Sequence, residues 1–203
     1  MGVFHKKYAK KYFKDFVFAS DSLKRQVAYL SKPEINGPLL LYGPSGSGKT
    51  CLAKVITDYE VTTFPKLICF SAPDEEQPEE ARICNGWNNK VIIIDNVHFA
   101  NNKIQQRISS AINRYEERGG YFVVCTTNNL SRVHPDLKSK CDAIHVPFAS
   151  PEKWLDRVKF ILLNEGMPNI PDKQILEFIS GTQGNGYQLL YQLEHAINNL
   201  KVV

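Results

Sequence analysis

Residues Gly43-Pro44-Ser45-Gly46-Ser47-Gly48-Lys49-Thr50 follow an apolar run, Leu39-Leu40-Leu41, and precede Cys51-Leu52-Ala53-Lys54-Val55-Ile56, which has helical spacing. Strand, glycine-rich loop and helix in that order match the phosphate-binding pattern G-x-x-x-x-G-K-[ST] at every fixed position. Each position has a physical reason. The glycines let the backbone curl until successive N–H groups point inward at phosphate oxygens. Lys49 supplies a mobile charge for the β- and γ-phosphates, and Thr50 offers a hydroxyl to Mg²⁺. The following helix turns its positive N-terminal end toward the phosphates. The expected contact set for ATP or ADP is therefore Gly43, Pro44, Ser45, Gly46, Ser47, Gly48, Lys49, Thr50 and Cys51.

The chain is long enough to build a domain around that loop. Its 203 residues suit one large domain or a core with a small appendage. With 43% hydrophobic and 23% charged residues it reads as an ordinary soluble globular protein. No run of about 18 apolar residues is present to cross a bilayer, so no membrane association is expected. The start, MGVFHKKYAKKYF, lacks the apolar centre of a signal peptide. An intracellular location is expected: cytoplasm, nucleoid or, for a viral protein, the host cell. Cys51, Cys69, Cys84, Cys125 and Cys141 are odd in number and scattered without a C-x-x-C pair. They read as free thiols rather than a zinc site or disulfide framework.

The net charge of +4 is less informative than its distribution. Lys6, Lys7, Lys10, Lys11 and Lys14 alternate with Phe4, Tyr8, Tyr12 and Phe13 in a basic N-terminal arm, residues 1–15. Two readings stay open. Such an arm can grip a DNA backbone and stack on bases, or it can be a solvated segment whose aromatics pack on the core. Asp74, Glu75, Glu76, Glu79 and Glu80 read as a solvated loop and helix start.

A capped start at Ser20 or Asp21, with Leu23, Val27 and Leu30 at helical spacing, predicts a first amphipathic helix. Leu67–Phe70, Val91–Asp95, Tyr121–Thr126 and Ala143–Val146 read as further buried strands. Between them lie a short helix through Ala81–Cys84 and a longer one carrying Ile104, Ile108, Ala111, Ile112 and Tyr115, ending at Gly119-Gly120. The expected fold is α/β, a parallel five-stranded sheet flanked by helices, over residues 16–149. From Ser150 the pattern changes. Helices opening at Pro151, Asp172 and near Gly186 predict a three-helix lid over residues 150–203.

A triphosphate site needs an acid on the metal side, and Asp95 at its strand's end is the natural one, with Thr50, for Mg²⁺. Asn96 follows where many such ATPases carry the glutamate that polarises water. Asn can hold a water but cannot accept its proton, so slow or partner-dependent hydrolysis is expected. His98, two residues on, reads as structural, with substitution for that base as the minor alternative. Thr126-Thr127-Asn128-Asn129 closes the next strand, where a polar side chain can reach the γ-phosphate or the water.

With these residues in place the sequence resembles the AAA+ ATPases of the clamp-loader and replication-initiator branch. Asn128-Asn129-Leu130-Ser131-Arg132-Val133-His134-Pro135-Asp136-Leu137-Lys138-Ser139-Lys140-Cys141 is similar to the clamp-loader segment from sensor 1 to the Ser-Arg-Cys motif, at the same spacing. Asp95-Asn96 is similar to the pair in a regulatory homologue of the bacterial replication initiator. Phe16-Val17-Phe18 resembles that group's entry, whose residues help enclose the adenine. The resemblance implies Asn128 as sensor 1, an arginine-finger position at Lys140 and a sensor 2 position at Tyr187, within Gly184-Asn185-Gly186-Tyr187. It also implies AAA+ interfaces joining like or unlike subunits, a replication protein as partner, and DNA. Lys140 keeps a charge but loses the bidentate fork, and Tyr187 supplies no charge. Nucleotide binding is expected to be intact and turnover attenuated.

The favoured expectation is a nucleotide-dependent switch in DNA replication: helicase loader, clamp-loader-like subunit or initiator regulator. The alternatives are a superfamily 3 type helicase motor and a degenerate ATPase acting as an interaction module.

Overall fold

The computed structural model describes residues 3–8, 12–31, 37–60, 66–69, 91–116, 122–167 and 169–201. The acidic segment, the helix expected through Ala81–Cys84, the Gly119-Gly120 stop, and Lys10 and Lys11 lie outside them. In chain order the elements are α1 (Val3–Lys7), α2 (Asp21–Leu30), β1 (Leu39–Tyr42), α3 (Lys49–Glu60), β2 (Lys66–Cys69), β3 (Val91–Asp95), α4 (Asn102–Glu116), β4 (Phe122–Thr127), α5 (Pro135–Ser139), β5 (Asp142–His145), α6 (Pro151–Asn164), α7 (Asp172–Ser180) and α8 (Gly186–Lys201). Short 3-10 turns occur at Phe13–Asp15, Val97–Phe99 and Leu130–Arg132.

The five strands pair in parallel in the order β2-β3-β4-β1-β5, as expected from their alternation with helices. Period-2 alternation sends successive residues of β1 to opposite layers. Leu39 and Leu41 join Leu23, Val27, Leu52, Ile56, Ile93 and Ile144 beneath α2 and α3. Leu40 joins Ile92, Ile94, Ile104, Ile108, Ile112 and Leu137 beneath α4 and α5. Burial of each such side chain stabilises by ~1.5–3 kcal/mol, which is why the inner strands are apolar on both faces. The start of α2 is fixed by Ser20, whose Oγ accepts from the Leu23 N–H at 3.1 Å, a cap contributing about 1 kcal/mol.

β5 departs from the expected buried pattern. Only Ile144 is buried, while Asp142, Ala143 and His145 are exposed. It is an edge strand, paired on one side with β1, and exposed polar residues discourage further pairing there. α5 was not anticipated. Pro135 at its first turn and His134 Nδ1, accepting from the Asp136 N–H at 3.2 Å, nucleate it.

α6, α7 and α8 form the expected lid around Trp154, Val158, Ile161, Ile175, Ile179, Leu189, Leu193 and Ile197. Residues 3–8 of the N-terminal arm belong to the same body, whereas Phe13 packs on the α2–α3 cluster. Phe4 and Tyr8 are buried in the lid's core, and α1 packs on α8. Tyr8 Oη donates to Glu165 at 2.6 Å, Lys7 pairs with the same carboxylate, and Arg157 donates to the Tyr8 carbonyl at 3.0 Å. Of the two readings of the arm, packing describes these two aromatics, on the lid; Tyr12 stays exposed. Among the described residues no helix is long and apolar enough to cross a membrane.

Candidate nucleotide site

The loop of residues 43–48 joins β1 to α3 at the carboxyl edge of the sheet, beside the ends of β3, β4 and β5. The Gly43 N–H donates to the Thr127 carbonyl at 3.3 Å, and the Leu52 N–H donates to Gly48 at 2.7 Å, opening α3. Two glycines are required by close approach as well as by backbone angle. A Cβ on Gly43 would lie 2.2 Å from the Val146 carbonyl oxygen; one on Gly46, whose φ is 83°, would lie 2.2 Å from Asn185 Oδ1. The Phe16 ring lies against Gly48.

Lys49 is buried and folds back so that Nζ donates to the Pro44 carbonyl at 2.7 Å. Burial lowers its amine to about 8, with Asp95 pulling the other way. A cation held in that state gains from an arriving anion. Ser47 Oγ, in the same loop, is buried without a hydrogen-bond partner among the described residues. Orphaned donors of this kind fit a phosphate.

Asp95 lies across from Thr50 and is largely buried. Thr50 Oγ1 donates to Asp95 Oδ1 at 2.6 Å, which unites the two residues expected at Mg²⁺. Hydroxyl and carboxylate oxygens are the hard donors that cation takes, alongside phosphate oxygens and water. Among the described residues no cluster of three or more His, Cys, Asp or Glu side chains forms an alternative metal site. Thr126, fully buried on β4, donates to the same Asp95 Oδ1 at 2.5 Å and accepts from the Asn96 N–H at 3.0 Å. Its role as Asp95's partner was not read from the sequence; the available signal was a hydroxyl ending an apolar strand next to the acid.

Asn96 stands in the left-handed region, φ 57°, ψ 44°, at the turn between β3 and the Val97–Phe99 turn. Asn tolerates that conformation better than most side chains. His98, in the turn, is buried, and its Nδ1 has no partner among the described residues. Burial, with Arg132 and Lys49, holds its imidazole below the ordinary value, Asp95 opposing. Asn128 is exposed at the end of β4. Its neighbour Asn129 is engaged, its Oδ1 accepting from the Ser131 N–H and hydroxyl.

The remaining expected residues are not gathered at the loop. Lys140 ends α5, where Nζ donates to the Ser109 carbonyl at 3.3 Å and to Asp136 at 3.4 Å. Tyr187 is exposed and stacks on His5 at 4.2 Å. The lid touches the loop through the two residues before it. The Gly186 N–H donates to the Gly46 carbonyl at 3.0 Å, with Asn185 against Gly46. Cys51, in the first turn of α3, is half-buried against the α2–α3 cluster.

The family model described as the ATPase family associated with various cellular activities (AAA) matches residues 39–147, more than half of the chain. A putative replication factor C small subunit of Acanthamoeba polyphaga mimivirus is 24% identical, over 81% of this chain and 54% of the relative. The chain thus spans about half the length of that curated relative. The Thermotoga maritima RuvB Holliday junction branch migration motor superposes with a TM-score of 0.79 at 18% identity, over 96% of this chain and 66% of the motor. Domain III of the Thermotoga maritima replication initiation protein DnaA does so with a TM-score of 0.68 at 19% identity, over 95% of this chain and 88% of the domain chain. These likenesses carry the fold.

Proposed function

From the premise that the chain belongs to the AAA family of ATPases, we propose that it is an ATP-dependent switch acting in DNA replication. It works inside the cell as a loader, clamp-loader-like subunit or initiator regulator, and it hydrolyses ATP slowly until a partner assists. The observation that carries this reading is the Gly186–Gly46 hydrogen bond. It ties the first turn of α8 to the loop that wraps the phosphates, so a change in the loop is felt by the lid. A ligand shifts such an equilibrium by its differential affinity for the two lid positions.

The chain's own residues divide the task. Gly43–Thr50 bind and orient the triphosphate, Thr50 and Asp95 hold the Mg²⁺ side, and Asn128 senses the γ-phosphate. Asn96 in place of a carboxylate, Lys140 in place of an arginine and Tyr187 in place of a sensor arginine limit turnover. Lys140 is held by Asp136 and Ser109, and a neighbouring subunit's nucleotide would have to draw it away. The relationship to a replication factor C subunit supports the assignment to replication. In this reading exposed Lys6, with Lys10, Lys11 and Lys14, adds salt-dependent affinity for DNA, while Lys7 is occupied by Glu165.

The experiment is particle size and single-turnover ATP hydrolysis, each with and without Mg²⁺, ATP and DNA, with Lys49→Ala as control. ATP-dependent assembly with slow, Lys49-dependent hydrolysis is expected. Assembly indifferent to ATP rejects the switch, and strand separation by the protein alone favours a motor.

A further inference from the structure

An open cleft of about 330 Å³ separates the segment entering α2 from the outer face of the lid helix α6. Lys14 and Lys24 stand on the first wall, and Lys153, Arg157 and Phe160 on the second. None of residues 43–51 lines it, so the cleft is separate from the nucleotide loop. Its volume falls within the roughly 300–1,000 Å³ typical of ligand sites.

Two exposed aromatic rings mark the place, and each has a cation beside it. Phe160 is 50% exposed, with the Arg157 guanidinium 5.3 Å from its ring centre. Tyr12 is 63% exposed, and Lys14 Nζ, on the cleft's first wall, lies 5.7 Å from its ring centre. Rings left in water beside cations are the elements that bind unstacked bases together with their phosphates.

The charges narrow the choice of occupant. Asp15, Asp21 and Asp156 line the cleft together with its cations. Asp21 pairs with Lys153 at 3.5 Å, but both are solvated, and a phosphate can displace so weak a pair. Arg157 is engaged by the Tyr8 carbonyl, which leaves Lys14, Lys24 and Lys153 to meet an anion. A bare polyanion would be repelled by the carboxylates. A nucleotide unit uses every group: amines take the phosphate, the ring takes the base, and carboxylates accept from base N–H groups. A duplex keeps its base faces stacked, so the strand must be single.

We propose that this cleft binds single-stranded DNA, one base stacking on Phe160 while Lys14, Lys24 and Lys153 hold the adjoining phosphates. The inference rests on the reading that DNA is a partner. It moves the contact from the N-terminal arm alone to a place where one strand touches both the core and the lid.

The test measures binding of oligo(dT) and of an abasic oligomer of equal charge, by fluorescence anisotropy across salt. The proteins are wild type, Phe160→Ala, and Lys24→Ala with Lys153→Ala; Arg157 is left alone because it holds the arm. Phe160→Ala should weaken oligo(dT) about tenfold, within what one stacked base contributes, and leave the abasic oligomer unchanged. The lysine pair should lower the slope of log affinity against log salt by about 1.4 for both oligomers. All three side chains are exposed, so ATP affinity should hold and melting temperatures should stay within about two degrees. An oligomer carrying 5-iodouracil should photo-crosslink within residues 153–160. Phe160→Ala within about twofold of wild type on oligo(dT) overturns the inference, as does an equal loss on the abasic oligomer. So does an unchanged salt slope in the lysine pair. Oligo(U) bound more tightly than oligo(dT) overturns the assignment to DNA. A wild type that binds no strand rejects DNA as a partner altogether. Binding lost on Lys6→Glu but intact in the cleft variants rejects the cleft and leaves that reading standing.

Discussion

Thr126 Oγ1 and Asp95 Oδ1 are 2.5 Å apart, and the same hydroxyl accepts the Asn96 N–H. One buried side chain thus fixes both the acid on the metal side and the turn that follows it. Thr126→Val keeps the shape and removes both bonds. With Asp95 and the Asn96 amide left short of a partner, the variant should lose about 1–3 kcal/mol in denaturant unfolding. Mg²⁺-dependent ATP affinity should fall with it. An unchanged midpoint and unchanged Mg²⁺ dependence would show that Asp95 is held by Thr50 alone.

Lys49 links the site to pH. Its amine titrates at about 8 in the folded chain, against 10.5 for an unperturbed lysine. Between those values the unfolded chain binds more protons than the folded one, so stability rises with pH through that window. Below about pH 8 the penalty is present in full. Lys49→Met should therefore stabilise the nucleotide-free protein at pH 7 by about 1–2 kcal/mol, after discounting for solvent screening. That gain should vanish near pH 10.5. ATP should raise the melting temperature of the wild type and not of the variant. A variant less stable than wild type at pH 7 would mean that the bond to the Pro44 carbonyl outweighs the burial.

The sheet was legible because Leu39–Leu41, Val91–Asp95 and the strand ending at Thr126 are apolar runs that no exposed segment tolerates. β5 was misjudged in its burial for the converse reason: four residues carry no mark of whether the strand is central or at an edge. The loop was legible because its glycines answer to local backbone geometry and to phosphate. What was not legible depended on residues far apart in sequence. Thr126 acquires its role only when β4 is placed beside β3, and Asn185 only when the lid folds back. The aromatic spacing of Phe4 and Tyr8 could not say whether nucleic acid or α8 would cover them.

Gly46 meets two demands at once, a φ of 83° and the approach of Asn185. Gly46→Ala strains the loop and pushes the lid away, so a loss of about 1–3 kcal/mol is expected. ATP affinity should fall at least about tenfold, since about 1.4 kcal/mol is tenfold in an equilibrium constant. Asn185→Gly in the same chain removes the clash but not the backbone strain. The double variant should recover part of the stability and the ATP-dependent change in the lid, a coupling readable in a double-mutant cycle. Strictly additive effects would show that the loop and lid do not communicate through this contact.

Phe4 is 5% exposed in the lid's core, although it lies in a basic segment that also suits DNA. The two roles separate by mutation. Phe4→Ala removes one apolar anchor of α1, leaving buried Tyr8 with its hydrogen bond to Glu165, the Arg157 bond to the Tyr8 carbonyl, the Lys7–Glu165 pair and the His5–Tyr187 stack to hold it. A core phenylalanine truncated to alanine costs about 3–5 kcal/mol where the site cannot relax. A terminal helix that can simply detach sets a lower ceiling, so about 2–3 kcal/mol is expected. Hydrogen exchange should show the amides of residues 3–8 losing protection before those of the sheet. Lys6→Glu with Lys14→Glu should leave the melting temperature unchanged within about a degree, while lowering DNA affinity and flattening its salt dependence. If Phe4→Ala left exchange at α1 untouched while the charge reversals destabilised the lid, electrostatics rather than burial would be what seats this helix.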